Sequence, residues 1–170
     1  MSANYKIDSA NEMRKFLWHE LEAEGIFEAT DYYSDNIGET IVPIIPVQQQ
    51  PELNQFLNGK KHIVYDKTNM TYESNWMVCT EKMQFTLYAV DVSEINEMRN
   101  FIIDLFRRSD ESARDINNFM GNSSVIRFHT IYMSDISPIS PSEELQGFLS
   151  ADVILELKYS RDIDPSGRFA

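Results

Sequence analysis

Cysteine is almost missing from this chain. Cys79 stands alone among 170 residues, so no disulfide can form within the chain,. Its setting, Trp76-Met77-Val78-Cys79-Thr80, reads as a small buried hydrophobe,. No stretch approaches the ~20 apolar residues of a membrane span, and Met1-Ser2-Ala3-Asn4-Tyr5-Lys6 lacks an apolar leader core,. Both absences predict assembly in a reducing cytoplasm. Positive charge is also scarce: 15 Lys and Arg face 27 Asp and Glu, a formal charge of −12. With no basic stripe to overcome that repulsion, stable nucleic-acid binding is excluded as an expectation. The charge serves solubility, or makes a wall past which something negative slides without sticking.

Recognisable chemistry is equally sparse. The six glycines are dispersed, with no P-loop, GxSxG or dinucleotide fingerprint,. His19, His62 and His129 fall on three separate elements. His19-Glu20 opens like a zinc-protease motif, but Glu24 occupies the position of the second histidine,. His129, next to Phe128 in a strand, reads as a partly buried, hydrogen-bonded core residue. Asp110-Glu111 and Glu143-Glu144 are adjacent pairs in loops, where carboxylates are ordinarily just solvated rather than opposed across a cleft,. The expectation is no catalytic residue, no metal and no cofactor.

What is present is a folded chain. Hydrophobic residues make up 42%, with ten Phe, eight Tyr and two Trp, enough to offset chain entropy,. Ser9-Ala10-Asn11-Glu12 has the form of a capping box. Met13, Phe16, Leu17 and Leu21 then recur at helical spacing, which predicts a helix over 10–24 ending at Gly25,. Ile41 to Val47 carries Pro43 and Pro46 and suits an edge strand or extended arm. Pro51 opens a short helix ending near Gly59. His62 to Tyr65 is a short strand, and the polar run 66–74 a loop. Asn75 to Thr80 and Gln84 to Val90 pair as a hairpin through Glu81-Lys82-Met83. Val92 to Arg108 forms the clearest helix, capped by Ser93, with Ile95, Met98, Ile102, Leu105 and Phe106 as its apolar stripe,. A second helical patch spans 113–120.

Two strands, 124–133 and 151–159, flank a surface loop at 134–148. The fold expected is α+β: a mostly antiparallel sheet of four to five strands packed by two main helices, in one domain over 1–161 with a frayed tail at 162–170.

Candidate contact residues follow from side-chain chemistry. Tyr72 and Trp76 lie in or beside a predicted loop, where an interface role and local core packing both fit. Arg107, Arg108 and Arg114 cluster after the long helix. They suit either local dipole and carboxylate partners or an acidic patch on a neighbouring copy.

Four stretches carry a family likeness. They are Pro51-Glu52-Leu53 through Lys61-His62-Ile63-Val64-Tyr65-Asp66; Gln84-Phe85-Thr86-Leu87 into Ile102-Ile103-Asp104-Leu105-Phe106-Arg107-Arg108; Ser112-Ala113-Arg114-Asp115-Ile116-Asn117; and Ala151-Asp152-Val153 to Tyr159-Ser160-Arg161. Together they resemble the tail terminator (tail completion) proteins of long-tailed bacteriophages. That resemblance implies a structural virion subunit that forms a hexameric ring on the finished tail tube. Such a ring halts tube polymerisation, lets DNA pass through its lumen, and offers the surface on which the neck docks. Its partners would be the tail tube protein, the head and neck connector proteins and the tail sheath. A head-to-tail connector is the neighbouring alternative; a small ligand-binding domain or enzyme is the alternative of a different class.

Overall fold

The computed structural model describes residues 8–72, 78–107, 109–121 and 125–161. Helix α1 (Ser9–Ala23) places Met13, Phe16, Leu17 and Leu21 on one buried face, as their spacing predicts,. Its cap differs from the expected box. Asp8 takes the cap position and its carboxylate accepts from Asn11 N at 2.8 Å, while Ser9 enters the helix and turns inward. Gly25 ends the helix at φ +80°, a left-handed conformation that glycine adopts without strain,.

A 3-10 turn (Ala29–Tyr32) leads into a small hairpin of β1 (Tyr33–Ser34) and β2 (Glu39–Thr40). Strand β3 (Ile44–Pro46) follows, then a second 3-10 turn (Val47–Gln49) and the short helix α2 (Gln50–Leu53) with Pro51 in its first turn. The remaining elements are β4 (His62–Tyr72), β5 (Val78–Ala89), α3 (Val92–Phe106), α4 (Ser109–Met120), β6 (Ile126–Ile136), β7 (Ser140–Pro141) and β8 (Leu149–Arg161). Asp91, rather than Ser93, caps α3.

The α+β class holds, but the expected sheet and helix count do not. Among the described residues there are four α-helices, not two, and a six-stranded mixed sheet beside the two-stranded β1–β2 hairpin. The sheet runs β3-β4-β5-β8-β6, with β7 also paired to β8. Strand β3 lies parallel to β4, Ile44 opposite Ile63 and Pro46 opposite Tyr65. The crossover through α2 is long enough to permit parallel pairing. The polar run expected as a loop after Tyr65 instead continues β4 to Tyr72, because a strand at a sheet edge can carry polar side chains,. Glu81-Lys82-Met83 is no turn either. Strand β5 runs straight through it, with Cys79, Glu81, Met83, Phe85, Leu87 and Ala89 all buried in one phase,. Likewise β6 extends to Ile136 and β7 sits inside the expected 134–148 loop.

One face of the sheet holds the core. Ala151, Val153, Leu155, Leu157 and Tyr159 of β8 join the buried β5 residues beneath Phe16, Ile95, Met98, Ile102, Phe106 and Ile116 of the helices. Phe16 meets Phe106 edge-on at 6.4 Å and Phe119 at 5.7 Å, joining α1, α3 and α4. Burying such a side chain contributes roughly 1.5–3 kcal/mol. The partner face, lined by Thr80, Lys82, Gln84, Asp152, Ile154, Glu156 and Lys158, stays part-exposed. Cys79 is buried, as its context suggests, whereas His129 is exposed and Phe128 beside it is buried. The bulge between Phe128 and Thr130 puts His129 outside the pairing register,.

Glu81 is the exception within the core. Fully buried, it accepts from Ser9 Oγ at 2.5 Å and Tyr159 Oη at 3.0 Å, with Lys67 Nζ at 3.5 Å. Those partners tie the start of α1 to three strands. Burial and the Glu81 charge raise the Tyr159 pKa, so its hydroxyl keeps the proton it donates,. Truncation by Glu81→Ala leaves two hydroxyls and an ammonium without their acceptor. It should lower unfolding stability by about 2–4 kcal/mol in urea titration, against about 1 kcal/mol for Tyr159→Phe.

Candidate interaction groove

The uncovered sheet face is not open along its whole length. At the β4 start, the segment 47–50 stands on one side and the loop 142–148 on the other. Together they frame a groove whose floor is Gln84, Thr86, Tyr88, Ser150 and Asp152. Period-two alternation places the floor: these residues occupy the phase of β5 and β8 opposite the core,. The recess narrows to about 170 Å³ against Val47 and Gln50 and widens to about 290 Å³ beside Ser140 and Glu143.

The loop is fixed locally. Ser142 N donates to Phe148 O at 2.8 Å, Leu145 N to Ser142 Oγ at 3.0 Å, and Phe148 N to Leu145 O at 3.2 Å. Phe148 then inserts edge-on against His62 and Tyr88, with ring centroids at 5.5 and 6.2 Å; His62 and Tyr88 stack at 5.1 Å,. Tyr88 Oη donates to Glu144 Oε2 at 3.1 Å, and Thr86 Oγ1 to Asp152 Oδ1 at 2.8 Å. Burial, with the nearby Glu144 charge adding to it, pushes the Tyr88 phenol up to about 12. The Gln50 amide beside it opposes part of that rise.

Among the described residues, two buried polar atoms here lack a well-directed hydrogen bond. Gln50 Nε2 is one, and Gln50 lines the narrow end of the groove. Leaving such a group unsatisfied costs about 1–3 kcal/mol. His62 Nε2 is the other. His62 Nδ1 lies 2.8 Å from Lys60 O, a carbonyl that only accepts, so Nδ1 carries the proton and Nε2 the lone pair,. Burial holds the His62 pKa below its usual value,.

The lining is electrostatically one-sided. Asp66, Glu143, Glu144 and Asp152 contribute carboxylates, and among the described residues no Lys or Arg lines either part. Lys82 and Lys158 lie farther along the same face, opposite Glu156 and Thr80 respectively. The carboxylates are spread along the groove. Among the described residues no three His, Cys, Asp or Glu converge to hold a metal.

The contact residues expected from sequence fall elsewhere. Tyr72 ends β4 opposite Cys79, while Trp76 and Arg108 lie outside the described residues. Arg107 follows α3, with Nη1 3.7 Å from Asp104 Oδ1, both side chains exposed. Arg114 is exposed on α4. The arginines therefore belong to the helix layer and Tyr72 to the sheet. Thr86 and Tyr88 were findable from the alternation of Gln84 to Tyr88; nothing in the sequence marks Gln50.

No family model matches the chain, and no curated protein matches it. No helix among the described residues is long and apolar enough to cross a membrane.

His62 gives the groove a pH signature. Its folded pKa lies below the unfolded value of 6.5, so its contribution is complete above pH 6.5 and is lost as pH falls toward the folded pKa,. The loss should reach at most about 1.4 kcal/mol per pH unit. Urea unfolding between pH 7 and 5 should show this slope in the wild type and not in His62→Phe.

Proposed function

We propose that this chain is a structural assembly subunit: a tail terminator that forms a ring on the tail tube of a long-tailed bacteriophage. There it would stop elongation and present the docking surface for the neck. The sequence resemblance suggests the family, and one structural observation supports an associative role. Strand β4 is paired on its outer side only over Ile63–Tyr65, where β3 ends at Pro46. From Asp66 to Tyr72 that side has no strand neighbour among the described residues.

An unpaired edge is a template for strand addition. This edge also carries a bulge between Lys67 and Asn69, which interrupts regular pairing,. An edge able to receive one neighbour but poorly suited to propagate a sheet fits a protein that ends a polymer. The reading requires no catalytic group. The acidic surface is compatible with a lumen through which DNA passes unbound,.

Negative-stain microscopy with light scattering should show closed rings of the purified chain. Adding the chain to growing tail tubes of the same virus should stop elongation. Met70→Lys, an exposed position on the free edge opposite Glu81, should change stability by less than about 0.5 kcal/mol yet abolish capping, since an edge lysine opposes strand addition. Self-assembly into long tubes would indicate a tube subunit instead. A chain that neither closes rings nor binds tube tips would overturn the proposal.

A further inference from the structure

We propose that the acidic groove is one half of a subunit–subunit contact, and that its occupant is the arginine pair Arg107 and Arg114 of a second copy of this chain. The inference rests on the ring reading above and assigns that ring a contact. Charge complementarity supports it from both sides. Glu143, Glu144 and Asp152 line the groove, and among the described residues no Lys or Arg joins them there. Arg107 caps the end of α3 and Arg114 lies in the second turn of α4, both with exposed side chains. Among the described residues, Arg107 pairs with Asp104, an exposed neighbour three residues away. Contacts of that kind are weak and readily exchanged.

Gln50 is the independent sign of a missing partner. It is nine-tenths buried and lines the narrow end of the groove, and among the described residues its amide nitrogen has no well-directed hydrogen bond, only the Tyr88 phenol beside it. A half-turn of the carboxamide exchanges nitrogen for oxygen, and the buried end then accepts from a guanidinium. A guanidinium brings five donors in a flat fork, able to reach a carboxylate and an amide oxygen together. The spread of the carboxylates, too open for a metal ion, suits side chains entering from another surface.

The two halves sit on opposite sides of the subunit. The groove belongs to the uncovered sheet face, and the arginines belong to the helices that cover the other face. Matching one to the other therefore repeats head to tail, the kind of contact that closes into a ring when its rotation allows.

The test uses two full-length variants: Glu143→Arg with Glu144→Arg, and Arg107→Glu with Arg114→Glu. Circular dichroism and thermal midpoints check that each folds. Each alone should lose self-association at least tenfold and scatter as a monomer. Mixed one to one, each supplies the half the other has lost. The reversed charges also complement each other, so the mixture should recover closed rings of alternating subunits. Should either double variant fail to fold, Glu144→Gln and Arg114→Gln make the same comparison with weaker losses. Variants that still close rings would overturn the groove assignment while leaving the ring reading intact. A mixture that stays monomeric would overturn the assignment too. A wild-type chain that remains monomeric at every concentration and fails to cap tube tips would overturn the ring reading, and the assignment with it.

Discussion

The antiparallel pairing of β5 with β8 is the constraint from which the rest of the architecture follows. Twelve consecutive residues of β5 match β8 without a register break, from Val78 opposite Ser160 to Ala89 opposite Leu149. Along that length every second side chain is apolar and faces one way, apart from Glu81. A slip by one residue would turn the whole set toward water. Because the pair is long and one-sided, all three long helices must lie on the same face. The other face is left to polar side chains and to whatever short segments can reach it. The groove is such a place, where the segment 47–50 and the loop 142–148 climb over the end of an otherwise uncovered sheet.

Glu81 shows how a polar side chain survives inside that arrangement. Two hydroxyls and an ammonium satisfy the carboxylate, so the defect in the apolar stripe becomes a fixed point between helix and sheet,. Gln50 is its counterpart with the opposite outcome. It is similarly enclosed, but among the described residues its amide nitrogen lacks a well-directed hydrogen bond.

Legibility in the sequence followed periodicity and the length over which it persists. Helices α1 and α3 were readable because their apolar residues recur over fifteen positions, and β8 because its alternation is nearly unbroken. Strand β5 was split in two because Glu-Lys-Met looks like a turn when Glu81 is assumed to face water. The outer half of β4 was lost for a related reason: an edge strand need not be apolar to be a strand. The parallel β3–β4 pair left no local signal, since direction is set by a crossover rather than by composition. The capping serine was displaced by one residue because Asp8 and Ser9 both suit the role, and Glu81 claims the serine. The groove was not readable. Its residues come from separate segments, and Glu143-Glu144 looks the same in sequence whether it is merely solvated or part of a wall.

Strand β8 follows every other described element in the chain, yet it lies in the middle of the sheet, between β5 and β6. Its partners in β5 are separated from it by roughly sixty to eighty residues, a closure that must be completed before either strand gains its full pairing,. During synthesis, β5 and β6 therefore emerge with an apolar face and an unfilled gap between them. The domain cannot finish until the segment 149–161 has cleared the ribosome and threaded into that gap. A nascent chain interrupted just before residue 149 would retain helices and the β4–β5 hairpin but not a closed core. Late insertion of the central strand would also delay completion of the Asp152 side of the groove. The groove would then exist only in a chain that has finished folding.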